Sequence, residues 1–97
     1  MTDMMPVSPG EILLEEFLKP LGVSQYRLAK SIKVPASRIH DVIHTQRPIT
    51  ADLALRLARF FGTDAQSWVN LQAHYELQLA EMQLADRINA EVTPLTA

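Results

Sequence analysis

The residues of this chain that could do chemistry are few, and their types restrict what it could be. His40-Asp41-Val42-Ile43-His44 sets two imidazoles at i and i+4, which on a helix share one face and resemble the spacing of an HExxH zinc site. The intervening acid is Asp, no third ligand follows at a recognised spacing, and a catalytic zinc centre needs three protein ligands, so neither metal nor cofactor is expected. His74 has no partner that the sequence identifies. The absence of Cys removes disulfides, thiol nucleophiles and thiolate metal sites, and fits a reducing cytoplasm. No nucleophile–base constellation and no phosphate-cradling glycine loop is present, so no enzyme is expected.

What remains is the polar and basic chemistry that meets nucleic acid. Residues 1–18 carry a net charge of −4, residues 19–59 carry +6, and residues 60–97 carry −4. Eight of the nine basic residues therefore lie in one central block, as expected if one surface faces phosphates, although a set of solvated helix faces would also produce it. Within the block, Ser37, Arg38, His40 and His44 are candidates for base edges. A serine can contact any base, and an arginine pairs bidentately with guanine for about 1–3 kcal/mol of discrimination. A phosphate contact is an equal alternative for Arg38. Lys33 and Arg47 are expected on backbone phosphates, Arg27 and Lys30 either there or in solvent, and Arg56 and Arg59 in salt bridges or at the rim. Gln25 combines an amide donor with the free N–H groups of a helix N-terminus, both suited to a phosphate oxygen.

Five helices must position these groups, and the punctuation for each is visible. A chain of 97 residues supports one small domain, and 47% hydrophobic with 6% aromatic content and three Gly suits compact helices. Ser8-Pro9-Gly10-Glu11 opens the first helix with the elements of a capping box, Ile12, Leu13, Phe17 and Leu18 follow at helical spacing, and Pro20 and Gly22 close it. Ser24 caps a second helix with Leu28, Ala29 and Ile32 on one face. Pro35 starts a short third helix that buries Ile39, Val42 and Ile43. Thr50 caps the fourth, with Leu53, Leu57 and Phe60 or Phe61 towards the core before Gly62. Asp64 caps a fifth, running from Gln66 towards Ala90, with a frayed tail around Pro94. No alternating strand pattern, repeat or low-complexity tract is found. The start has no leader-like pattern and no stretch approaches the ~20 apolar residues of a membrane span, so a cytoplasmic protein with no membrane partner is expected.

The segment from Ser24 to Arg47 joins two helices through only two or three residues. Ala29 sits where crossing helices approach most closely, and Leu28, Ile32, Val34, Ile39 and Val42 fix the crossing. Ala36, Ser37, Arg38, His40, Asp41 and His44 are left pointing outward. That is a helix-turn-helix, whose second helix enters the major groove while the first lies across the backbone.

On P-G-E-I-L-L-E-E-F-L-K-P-L-G at 9–22, R-P-I-T-A-D-L-A-L-R-L-A-R-F-F-G-T at 47–63 and W-V-N-L-Q-A at 68–73, the chain resembles the Cro/C1-like (lambda repressor-like) helix-turn-helix family and, within it, the HigA-type antitoxins. The likeness runs from Ser8 to about Leu77. It implies an all-α, five-helix DNA-binding domain with an extended C-terminal helix. It also implies a homodimer that represses its own operon at a palindromic operator and neutralises a HigB-like, RelE-like mRNA-cleaving toxin. Where the family usually has Asn-Gly-Lys-Arg after the recognition helix, this chain has His44, Thr45, Gln46 and Arg47. A positive φ is costly at β-branched Thr45, so the helix is expected to run on or end differently, and a cationic phosphate contact becomes the neutral Gln46. Lys33 similarly replaces a turn glycine.

The expected organisation is a flexible N-terminus at 1–7, a helix-turn-helix domain at 8–66 and a C-terminal helix and tail at 67–97. At 100° per residue Tyr75, Leu79 and Met82 fall together on the last helix, with Leu77, Leu84 and Ile88 roughly opposite. One stripe can cover the core, with Trp68 and Leu71 anchoring the helix start. The other needs a partner: a second copy would space two recognition helices about one DNA turn apart, ~34 Å, and a toxin could use the same surface. The segment past Ala85 could also be disordered. A free-standing regulator without a toxin, and an interaction module with weakened DNA binding, are the alternative functions.

Overall fold

The computed structural model describes residues 5–96, and these form five helices with no strand among them. Residues 1–4 of the expected flexible N-terminus, and Ala97, lie outside the described residues. The first helix, α1, comprises α-helical Pro9–Ile12, π-helical Leu13–Leu18 and α-helical Lys19–Leu21. Ser8 starts it from extended backbone, its hydroxyl accepting from the Glu11 N–H at 3.2 Å. The π turn precedes Pro20. That residue cannot donate to the Glu16 carbonyl, and its ring would crowd the same carbonyl in a regular α-turn. Lys19 N–H instead reaches back to the Leu14 carbonyl, the wider spacing that accommodates the proline.

Helix α2 spans Gln25–Ile32, α3 Ala36–Ile43, α4 Ala51–Phe61 and α5 Ala65–Glu91. Their starts follow the expected caps. Ser24 Oγ accepts from Arg27 N–H at 3.0 Å, Thr50 Oγ1 from Leu53 N–H at 3.3 Å, and the Asp64 carboxylate from Gln66 and Ser67 N–H. At the far end, helix continues to Glu91, so the segment past Ala85 is helical.

Leu13, Leu28, Ile39, Leu53 and Leu57 are fully enclosed, joined by Ala29, Val42, Ala54 and Trp68 in one core. Trp68 packs on Phe17 with ring centroids 5.0 Å apart and donates its indole N–H to Thr63 Oγ1 at 2.9 Å. The core thus runs across the expected boundary between 66 and 67, because the start of α5 is one of its walls. Phe60 and Phe61 pack at its edge, half-buried.

Helix α2 packs on α3 and α4, while α1 packs on α3 and α5. Ala29 is 2% exposed, as the crossing of α2 requires. A tighter approach occurs elsewhere. A Cβ on Gly10 would overlap the Val42 carbonyl and stand 2.8 Å from Ile43 Cα, so the start of α1 rests directly on the backbone of α3. Glycine is required there because backbone, not a flexible side chain, is in the way.

Gly10→Ala is expected to lower stability by about 1–3 kcal/mol, since backbone must move to admit the methyl. Thermal denaturation beside wild type reads this directly. An unchanged Tm would mean that the contact between α1 and α3 yields freely.

Candidate nucleic-acid interface

On α3 the burial pattern divides the helix lengthwise. With about 100° per residue, Ile39, Val42 and Ile43 occupy one arc and are buried, while Ala36, Ser37, His40, Asp41 and His44 fall within an opposite arc of about 140°. All of these but half-buried Asp41 are exposed. Stacked one turn apart, the His40 and His44 rings have centroids separated by 4.2 Å. Gln25, half-buried, is the first residue of α2, three positions before the enclosed Leu28.

Helices α2 and α3 are both closed by left-handed residues that are not glycine. Lys33 has φ 61° and Thr45 φ 64°. The expectation that Thr45 would make the helix run on or end differently is overturned. Gln46 N–H bonds to the Asp41 carbonyl at 2.7 Å and Thr45 N–H to the Val42 carbonyl at 3.1 Å, the paired bonds of a Schellman cap. Thr45 Oγ1 also donates to Ser8 Oγ at 3.2 Å, and these three bonds offset a left-handed conformation that costs an L-residue roughly 1–2 kcal/mol. At the end of α2 the Lys33 and Val34 N–H groups both bond to the Ala29 carbonyl, the latter at 3.0 Å, and the Val34 side chain turns into the core.

The basic residues fall into two groups. Arg38, 25% exposed in its side chain, is engaged within the fold. It donates from Nη2 to Thr50 Oγ1 at 2.8 Å and lies 3.8 Å from Asp52, tying the first turn of α3 to the cap of α4. Arg56 pairs with Asp52 and donates from Nη1 to the Ile32 carbonyl at 2.8 Å, serving the open end of α2. Arg47 pairs with Asp41 at 3.1 Å, both partly exposed. In contrast, the Arg27, Lys33 and Arg59 side chains have no ion-pair partner among the described residues, and Lys30 lies over the Tyr26 ring at 5.7 Å. Gln46, exposed, follows the α3 cap beside Arg47.

Three positions hold this surface in ways that sequence reasoning did not find. Gly10 sits under α3. Thr50, read only as a cap, also receives Arg38. Gln72 of α5 accepts from the Ile49 N–H at 2.9 Å and so reaches the segment behind Arg47. Only for Gly10 was there a local signal, a helix-breaking residue inside a capping sequence. His74 is exposed, and no group of three or more His, Asp or Glu side chains that could hold a metal ion occurs among the described residues. On α5, Leu77, Leu84 and Ile88 are 60%, 39% and 47% exposed, and Met82 is exposed while Tyr75 and Leu79 of its stripe are half-buried.

The helix-turn-helix family matches residues 14–68. Virulence-associated protein I of Dichelobacter nodosus is 56% identical over 79 residues, which cover 81% of this chain and 73% of that protein. Among solved structures, a Pseudomonas aeruginosa antitoxin HigA with the higBA promoter matches with a TM-score of 0.91 at 44% identity, over 94% of this chain and 99% of that one. The antitoxin GraA in complex with its operator matches at 0.89 and 37% identity, over 100% of this chain and 98% of that one.

Lys33→Gly separates backbone strain from charge. Relief of the left-handed lysine is expected to stabilise the fold by about 1 kcal/mol, read by chemical denaturation. A loss of stability would show that the lysine stem packs favourably enough to outweigh its backbone.

Proposed function

The chain belongs to the Cro/C1-like helix-turn-helix family, whose HigA-type antitoxins are among its relatives, and from that membership we propose that it is a DNA-binding antitoxin. In this reading it binds duplex operator DNA as a homodimer, represses its own operon and neutralises a HigB-like toxin that cleaves mRNA. It acts in the cytoplasm, takes no cofactor and catalyses no reaction. Among the described residues no helix is long and apolar enough to cross a membrane.

The observation that carries the reading is the exposed arc of α3, with Ala36, Ser37, His40 and His44 held outward by a buried opposite face. An α-helix of this width enters the major groove, where serine and imidazole donors and acceptors meet base edges. Arg47 and Lys33 flank the arc and neutralise phosphates, with Arg27, Lys30 and Gln25 contributing from α2 and Gln46 from the cap. Arg38 acts chiefly through α4: bound to Thr50, it fixes the angle at which α3 is presented.

Self-association is assigned to α5. From Glu81 to Glu91 every residue of the helix is exposed, and Leu77, Ala80, Ala85 and Ile88 line a shallow groove along it. Covering that groove with the same helix of a second copy would give the two-fold arrangement that a palindromic operator demands. The toxin is the alternative occupant of this same surface.

Titration of a duplex from the promoter upstream of the chain's own gene, at several salt concentrations, tests the DNA reading. Arg47→Ala is expected to weaken binding and to reduce the salt slope by about 0.9, the release expected for one neutralised phosphate. Equal affinity for promoter and unrelated duplexes would defeat the operator assignment. For the dimer, the double substitution Leu84→Glu, Ile88→Glu is expected to yield monomers in sedimentation while leaving the core melting intact; persistence of a dimer would place the interface elsewhere.

A further inference from the structure

The segment from His44 to Thr50 carries Gln46 and Arg47, and its fixation is unusual in where it comes from. Its first residues are held by the Schellman cap of α3 and by Ser8. Its end is the N-cap of α4. Between these, Pro48 has no N–H to offer, and Ile49 supplies the next backbone donor after Arg47. Ile49 is 4% exposed, and its N–H is satisfied by no backbone carbonyl. It donates instead to Gln72 Oε1, 2.9 Å away on the second turn of α5. The same amide donates from Nε2 to Glu76 Oε2 at 2.9 Å, which fixes its orientation along α5. Arg47 stands two residues before the tethered N–H, in a dipeptide whose backbone the following proline already biases to extended geometry.

We propose that Gln72 is a positioning residue for DNA binding: from the partner-bearing helix α5 it holds the Arg47–Pro48–Ile49 backbone in the register that presents Arg47 to a phosphate. The inference rests on the DNA-binding reading above. Glu76 takes part by fixing the amide, while the Arg47 side chain is held in the free protein by Asp41. Losing the acceptor leaves a buried N–H unsatisfied, which the loop relieves by turning Ile49 towards water and moving Arg47 with it. A change of register in α5 is therefore one hydrogen bond away from a phosphate-contacting residue.

The test compares wild type, Gln72→Leu, Gln72→Glu, Arg47→Ala and the double variant Gln72→Leu, Arg47→Ala, all as full chains, on the promoter duplex and on an unrelated duplex. Gln72→Leu is expected to bind the promoter about tenfold more weakly with a reduced salt slope. Arg47→Ala in that background is expected to add little, because both changes remove the same contact. Gln72→Glu keeps an acceptor oxygen for Ile49 and is expected to remain within about threefold of wild type, despite its repulsion from Glu76. Amide exchange supplies a readout independent of DNA: Ile49 N–H is expected to exchange about tenfold faster in Gln72→Leu, while Val34 N–H is unchanged. Multiplicative effects of the two single substitutions, or a Gln72→Leu protein that loses melting temperature but keeps affinity and salt slope, would reduce Gln72 to a structural residue and overturn the proposal. Failure of wild type to prefer the promoter duplex overturns the DNA reading and the proposal with it. Unaltered exchange at Ile49 would overturn the proposal alone.

Discussion

The presentation of α3 depends on a contact that contains no side chain on one side: Gly10 lying against the Val42 carbonyl and Ile43 Cα. Two backbones that meet this closely cannot slide without collision, because interiors are packed like crystals. The contact is reinforced by a hydroxyl pair, Thr45 to Ser8, and Ser8 simultaneously caps α1. The C-terminal end of α3 is therefore clamped to the start of α1. Its first turn is clamped to the start of α4 through Arg38 and Thr50. A helix of eight residues is too short to be stable by itself, so its direction is a property of these two clamps and of the buried Ile39, Val42 and Ile43 between them.

The clamps also decide which charges remain for a partner. A net charge of −2 would repel DNA at long range, but a surface pair of opposite charges contributes only about 0–1 kcal/mol, so the central cations are available when a phosphate offers more. Arg47 can exchange Asp41 for phosphate at small cost, since both partners are partly exposed. Arg56 cannot do so as easily: its guanidinium also serves the last carbonyl of α2, and withdrawing it would open a helix end inside the fold. Arg38 is likewise committed. The cation count of the sequence thus overstates the charge that a duplex would meet.

What was legible in the sequence was local. Ser8, Ser24, Thr50 and Asp64 announce helix starts because a cap is made within three residues, and Gly22 and Gly62 announce stops for the same reason. Apolar spacing disclosed the buried face of α3 and with it the exposed one. The end of α3 was misread, because the penalty of a left-handed threonine is visible in sequence while the bonds that offset it are not: one of them comes from Ser8, thirty-seven residues away. The contact of Arg38 with Thr50 was hidden for the same reason, the two being twelve positions apart. Gln72 was invisible altogether, since a glutamine on an amphipathic helix carries no mark of the backbone donor it will meet.

The two halves of α5 obey different physics. Its first turns are buried by Trp68 and the partly covered Leu71 and Val69, and they are tethered by Gln72. Beyond Ala80 no side chain is covered, and the ion pair of Arg87 with Glu91 contributes only about 0.3–0.5 kcal/mol. Eleven residues from Glu81 to Glu91 fall short of the roughly 12–15 that an isolated helix needs to be even marginally stable in water, so this half extends a nucleus supplied by the core. Burying Leu84 and Ile88 against another surface would therefore stabilise helix as well as cover apolar area. The start of α5 thus belongs to the core, and its exposed half depends on that core for its helical nucleus.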